Sequence, residues 1–159
     1  MNENSLLDLS DIRVLRILQR DASMSIADIA REAGMSQTPC WRRIKKLKET
    51  GVIKQVAAVV DREAVGLNFL AYSFVKLSLP SRENMEQFDK LVARWPEVVT
   101  CERITGAVDY LIKVVTSDIK SYDDFLRLKL LDNALVSDVQ SRIVVSTIKE
   151  TVSLPLRES

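Results

Sequence analysis

Histidine is absent from the 159-residue chain. Its absence excludes Ser-His and Cys-His catalytic pairs and every His-ligated metal. Cysteine is nearly missing: Cys40 and Cys101 are the only two, and they form neither a Cys-x-x-Cys motif nor a disulfide framework. Glycine and proline number four each, and no Gly-rich loop that could cradle a phosphate occurs. Long apolar runs are lacking too. The longest spans only Val56 to Val60, too short to cross a membrane as a helix. The opening stretch, Met1 to Asp11, is polar and acidic, unlike a signal or transit peptide, so a cytoplasmic location is the expectation. No catalytic residue, metal, cofactor or membrane partner is expected.

What is present suits a soluble globular protein of one ordinary domain or two small ones: 47% hydrophobic and 28% charged residues. The net charge of +1 favours no partner, but its distribution is uneven. From Ser36 to Lys54 six basic residues (Arg42, Arg43, Lys45, Lys46, Lys48, Lys54) face one acid, Glu49, a local +5 that leaves −4 for the rest. A basic patch on an otherwise acidic chain suits a focused polyanion contact. Taken alone, the run fits a solvated helix face equally well.

The first third reads as three helices. Ser10 is a candidate cap for a helix to about Arg20, with Val14, Leu15 and Leu18 on one face. Ser25 caps a second, Ile26 to Ala33, with Asp28 three places on resembling a capping box, and Gly34 stops it. Ser36 opens a third with Pro39 in its first turn and Gly51 at its end. Cys40, Ile44 and Leu47 share the inner face of that helix, so Gln37, Thr38, Trp41, Arg42 and Lys45 point outward. The unit is a tri-helical helix-turn-helix. It is small enough to need support from elsewhere in the chain or from a partner.

In a helix-turn-helix the third helix enters the major groove. Gln pairs two-pronged with adenine, Arg with guanine, and an aromatic edge packs on a thymine methyl. Arg43, Lys46 and Lys48 flank the outward face and are expected to reach phosphates. Ser25 and Ser36 stand at helix starts, where backbone donors favour phosphate oxygens. As plain caps they would need no DNA at all.

Val52 to Asp61 is β-branched and reads as a linking strand. From Gly66 onward the pattern becomes β-α-β-β-α-β: strand Phe69–Leu79, helix Glu83–Trp95, strands Val98–Thr105 and Asp109–Thr116, helix Ser121–Leu131, strand Val139–Lys149. The first strand is apolar on both faces, with Ala71, Val75, Leu77 and Leu79 on one and Leu70, Tyr72 and Phe74 on the other. Helices can cover one face, and the other is expected to meet another subunit. The fold class is therefore α+β. A helix-turn-helix domain (1–53) and a linking strand (54–65) precede a ferredoxin-like effector and oligomerisation domain (66–159).

These segments together resemble the leucine-responsive/asparagine regulators, the Lrp/AsnC family. Ser25-Ile26-Ala27-Asp28-Ile29-Ala30, then Gly34-Met35-Ser36, is similar to that family's second helix and turn. Thr38 to Leu47 followed by Gly51-Val52-Ile53 is similar to its recognition helix and exit. Gly106-Ala107-Val108-Asp109-Tyr110 resembles its Gly-x-x-Asp-Tyr turn. The resemblance covers nearly the whole chain in the right order.

It implies a sequence-specific regulator binding double-stranded DNA. It implies self-association as dimers, tetramers or octamers, and a small-molecule effector, often an amino acid, where dimers meet. Gly106, Ala107, Asp109 and Tyr110 are then candidate effector contacts, Asp109 for an ammonium group, with Ser141 on the last strand as another polar contact. Ala134-Leu135-Val136 stands where the family has a Pro-Gly-Val turn, so the loop there is expected to differ. The rival readings are an enzyme or binding domain on the ferredoxin-like part with the helices as a protein-interaction appendage, or a helix-turn-helix used as a protein adaptor.

Overall fold

The computed structural model describes residues 7–157. Residues 1–6 of the polar opening stretch, which entered the expectation of a cytoplasmic chain, lie outside the described residues. Contacts divide the chain into two units, Met1–Ala58 with Lys149–Ser159, and Val59–Ile148.

The first unit carries α1 (Leu9–Arg20), α2 (Ile26–Glu32) and α3 (Gln37–Glu49). The cap of α1 is Asp8, not the expected Ser10. Its carboxylate accepts the Asp11 N–H at 2.8 Å, and the Asp11 carboxylate accepts the Asp8 N–H at 3.3 Å. This reciprocal box satisfies two donors where one serine hydroxyl would satisfy one. Ser25 does cap α2, accepting the Asp28 N–H at 3.1 Å. Gly34 follows with φ +71°, a conformation other residues adopt only at a cost, and lets the chain turn into α3. Val14, Leu15, Ile17, Ile29, Ala30, Cys40, Ile44 and Leu47 form one buried cluster.

Residues 149–157 supply the support so small a core needs. Leu156 packs against the cluster, and the Arg16 guanidinium donates to the Leu156 carbonyl at 2.7 Å. Gln19 accepts the Leu154 N–H at 2.6 Å and donates to its carbonyl at 3.3 Å.

The second unit is a four-stranded antiparallel sheet in the order β2-β3-β1-β4, with β1 Phe69–Leu77, β2 Val98–Arg103, β3 Tyr110–Thr116 and β4 Val136–Ile143. Helix α4 is Arg82–Val92. Helix α5 is Ile119–Phe125 and runs on as a wider π-helical segment, Leu126–Leu131. This is the expected ferredoxin-like order. Ala71, Val75 and Leu77 pack with Tyr110, Ile112, Val114, Phe88, Val92, Tyr122 and Phe125 in a single core. On the other face of β1, Leu70 is buried while Tyr72 and Phe74 are half-buried.

Several boundaries differ from expectation for identifiable reasons. Val52 to Asp61 is no strand: a strand exists only where a ladder pairs it, and no such ladder is present among the described residues. Strand β1 stops at Leu77 because the chain turns away toward Pro80, which leaves Leu79 exposed instead of on the inner face. Strand β4 starts three residues early and ends at Ile143 because its partner begins at Phe69. The loop that departs from Pro-Gly-Val is closed by Asn133, whose side chain accepts the Leu135 N–H at 3.0 Å and whose carbonyl accepts the Val136 N–H at 2.9 Å.

The contact of residues 149–157 with α1 yields a stability test. Leu156→Ala should destabilise the helical unit by about 1–2 kcal/mol, given its partial burial. Denaturant unfolding followed by Trp41 fluorescence in a Trp95→Phe background measures it.

Candidate nucleic-acid interface and effector turn

Helix α3 divides as its 3.6-residue period dictates. Cys40, Ile44 and Leu47 are buried, while Gln37, Thr38, Trp41, Arg42, Lys45 and Lys46 are exposed. Trp41 keeps half of its surface accessible, and the Lys45 ammonium lies 5.3 Å from its ring centre. That cation–π contact sets an ammonium beside the indole on the outer face. Lys45 also stands 3.8 Å from Glu49, a loose pair. Among the described residues Arg42, Lys46 and Lys48 carry no ion pair, so three cations stand available to a polyanion.

The two serines differ. The Ser25 hydroxyl is engaged on α2, accepting from Asp28 N–H and donating to the Asp28 carboxylate at 2.6 Å. Ser36 makes no side-chain cap bond on α3. Arg43 departs furthest from expectation. Its guanidinium donates to Asp8 at 2.5 Å and to Asp11 at 2.7 Å, so it ties α3 to the capping box of α1 rather than standing beside Trp41 and Arg42. The Asp11 side chain is almost fully buried. The Asp11 N–H, then the Arg43 guanidinium, hold the Asp8 carboxyl below its ordinary value of 3.8.

The Gly106-Ala107 hairpin turn joins β2 to β3. Gly106 has φ +125° and open space where a Cβ would sit, so its requirement is conformational. Both turn residues are exposed, as a ligand contact requires. Asp109 and Tyr110 point elsewhere. The Asp109 carboxylate accepts the Leu77 N–H at 2.7 Å, and its backbone N–H donates to the Val75 carbonyl at 3.0 Å. It pins the hairpin to β1. Tyr110 is fully buried, and its hydroxyl donates to Asp89 at 2.9 Å. Burial first, and that bond second, push its pKa up to about 12. Ser141 faces the helices, bonded to the Tyr122 hydroxyl, which also meets Ser73 at 2.8 Å. The five expected effector residues are thus not brought together: Gly106 and Ala107 lie on the surface, and the other three have partners inside the unit.

Missed by sequence reasoning was Asp89, on α4 beneath Tyr110 and paired with Arg103. The spacing of α4 signalled only an apolar face. Also missed was the pairing of Arg43 with Asp8 and Asp11, which an acidic first turn on α1 could have suggested.

A helix-turn-helix with an exposed basic third helix, followed by a ferredoxin-like domain, defines a DNA-binding transcriptional regulator with a ligand-binding domain. The comparisons agree. Residues 7–54 match the winged helix-turn-helix DNA-binding family, and residues 70–154 match the Lrp/AsnC ligand binding domain. The chain belongs to the Lrp/AsnC family, which is one of regulators and not of enzymes. It is 37% identical over 153 residues to transcriptional regulator AzlB of Bacillus subtilis, covering 96% of this chain and 98% of that one. It is 34% identical to the DNA-binding transcriptional activator DecR of Escherichia coli K12, over 95% of this chain and 99% of DecR. Among solved structures, the NMB0573/L-Met complex of Neisseria meningitidis is 34% identical with a TM-score of 0.89, covering 94% of this chain and 96% of that one. Among the described residues no helix is long and apolar enough to cross a membrane.

Two tests follow from these contacts. Because the Asp8 carboxyl titrates below its ordinary value in the folded chain, its charge stabilises the helical unit above that value, and the contribution is lost as pH falls through the lowered folded value. Urea midpoints between neutral pH and the acid limit should therefore fall less steeply in Asp8→Asn than in the unmodified chain. Asp109→Ala strips the Leu77 N–H of its partner and should destabilise the sheet unit by about 1–3 kcal/mol, measured by chemical denaturation.

Proposed function

We propose that the chain acts in the cytoplasm as an oligomer that binds a specific DNA sequence and changes that binding when a free amino acid is present. Pairs of α3 helices would sit in successive major grooves, on half-sites roughly 34 Å apart. Gln37, Thr38, Trp41 and Arg42 read base edges, while Ser36, Lys45 and Lys46 hold phosphates. Ser25 and Arg43 position α2 and α3 through the bonds they already make. The observation that carries this reading is the exposed face of α3, where Trp41 stands beside Arg42 and Lys46, two cations without an ion pair among the described residues, and Lys45, which is only loosely paired with Glu49.

Self-association is supported by the half-buried Tyr72 and Phe74 on the face of the sheet opposite the helices. An amino acid as effector is supported by the family's ligand-binding domain and by the L-Met complex of the Neisseria regulator. The exposed Gly106-Ala107 turn is then where backbone approaches the ligand or a neighbouring subunit. Coupling between ligand and DNA would be about 1–3 kcal/mol.

Arg42→Ala should weaken specific DNA binding by about 1–3 kcal/mol and leave the melting temperature unchanged. Arg43→Ala should instead lower the melting temperature, since it leaves the buried Asp11 carboxylate without its cation. Fluorescence anisotropy over a salt series, beside thermal unfolding, measures both. Full-strength binding by Arg42→Ala would remove α3 from the interface.

A further inference from the structure

The two tryptophans of the chain are used in opposite ways. Trp95 packs edge-on against Phe88 and Phe125 in the sheet unit, at ring-centre distances of 6.0 and 5.7 Å. Trp41 stands on the outer face of α3 with half of its surface exposed. Indole is the largest apolar group a side chain carries, and leaving it in water forgoes the gain of burying it. Thr38, three residues earlier and on the same side of the helix, is exposed as well.

Cations frame this apolar spot. The Lys45 ammonium, 5.3 Å from the ring centre, takes one face of the indole. Arg42 and Lys46 are exposed and carry no ion pair among the described residues. The charge suits a phosphate backbone, but the indole calls for a different partner. In a paired duplex the bases are stacked, so no base face is open to a ring and only base edges are displayed. Among those edges the major groove offers one apolar group, the C5 methyl of thymine. The indole has a single N–H donor and no acceptor, so most of what Trp41 presents is apolar surface.

We propose that Trp41 packs on the C5 methyl of a pyrimidine at one fixed position of each half-site, while the Lys45 ammonium lies between the indole and a phosphate. The inference rests on the reading of α3 as the helix in the major groove, and it adds which group of the DNA Trp41 recognises. Thymine and 5-methylcytosine both present that methyl; uracil and unmodified cytosine do not.

Fragments recovered from genomic DNA by the full chain should be resynthesised with uracil in place of thymine, first throughout and then one position at a time. Binding is read by fluorescence anisotropy. At one position per half-site, loss of the methyl should weaken binding about three- to five-fold, the effect of one buried methyl. At that position 5-methylcytosine should bind more tightly than cytosine by a similar factor. Trp41→Ala should bind the thymine and uracil forms equally, at an ionic strength low enough for the remaining cations to hold DNA. Trp41→Phe, which keeps an apolar ring and loses the N–H, should retain the difference. The assignment is overturned, and the DNA-binding reading left standing, by equal binding of thymine and uracil fragments to the unmodified chain or by no gain from 5-methylcytosine. A methyl effect that survives in Trp41→Ala, or is lost in Trp41→Phe, has the same consequence. Recovery of no fragment by the unmodified chain overturns both.

Discussion

Three side chains, Cys40, Ile44 and Leu47, decide how α3 is used. Their burial against α1 and α2 fixes the rotation of a thirteen-residue helix, and with it the identity of every residue on the opposite side. Gln37, Trp41, Arg42 and Lys45 are outward because those three are inward. The rotation is fastened a second time by Arg43, which reaches between the two faces to the capping box of α1. A box that usually closes one helix end here also receives a cation from another helix. Residues 149–157 add a third fastening from the far end of the sequence through Arg16, Gln19 and Leu156. The chain crosses between the two units twice, at 58–59 and at 148–149.

In the sheet unit the Gly-x-x-Asp-Tyr segment works as a knot. Gly106 supplies the backbone conformation of the turn, Asp109 ties the hairpin to β1, and Tyr110 sends its hydroxyl inward to Asp89. The motif therefore shapes the surface around it more than it offers side chains to solvent. Tyr110 also links the hairpin to α4, because one phenol both fills the core and donates to the Asp89 carboxylate.

Periodicity made much of this legible. The spacing of Cys40, Ile44 and Leu47 set the orientation of α3, and the β-α-β-β-α-β element order gave the ferredoxin-like class. Partner choice was less legible. Whether Asp8 or Ser10 caps α1 depends on Asp11 reaching back, and whether Arg43 faces DNA depends on two acids more than thirty residues away. Asp109 and Ser141 are ligand candidates through the family resemblance, which does not say what packs beside them in this chain. Their actual partners, Leu77 and Tyr122, are brought near only by strand pairing and helix packing. The stretch from Val52 to Asp61 has the composition of a strand without a ladder to join, a condition set by neighbours and not by residue type.

The most direct test is selection of bound fragments from genomic DNA by the purified full chain, with and without a panel of amino acids. The account predicts recovery of a restricted set of fragments sharing paired half-sites one helical turn apart, and a change in that set or its occupancy with at least one amino acid. Recovery of no fragment above background, even at low ionic strength, would contradict it.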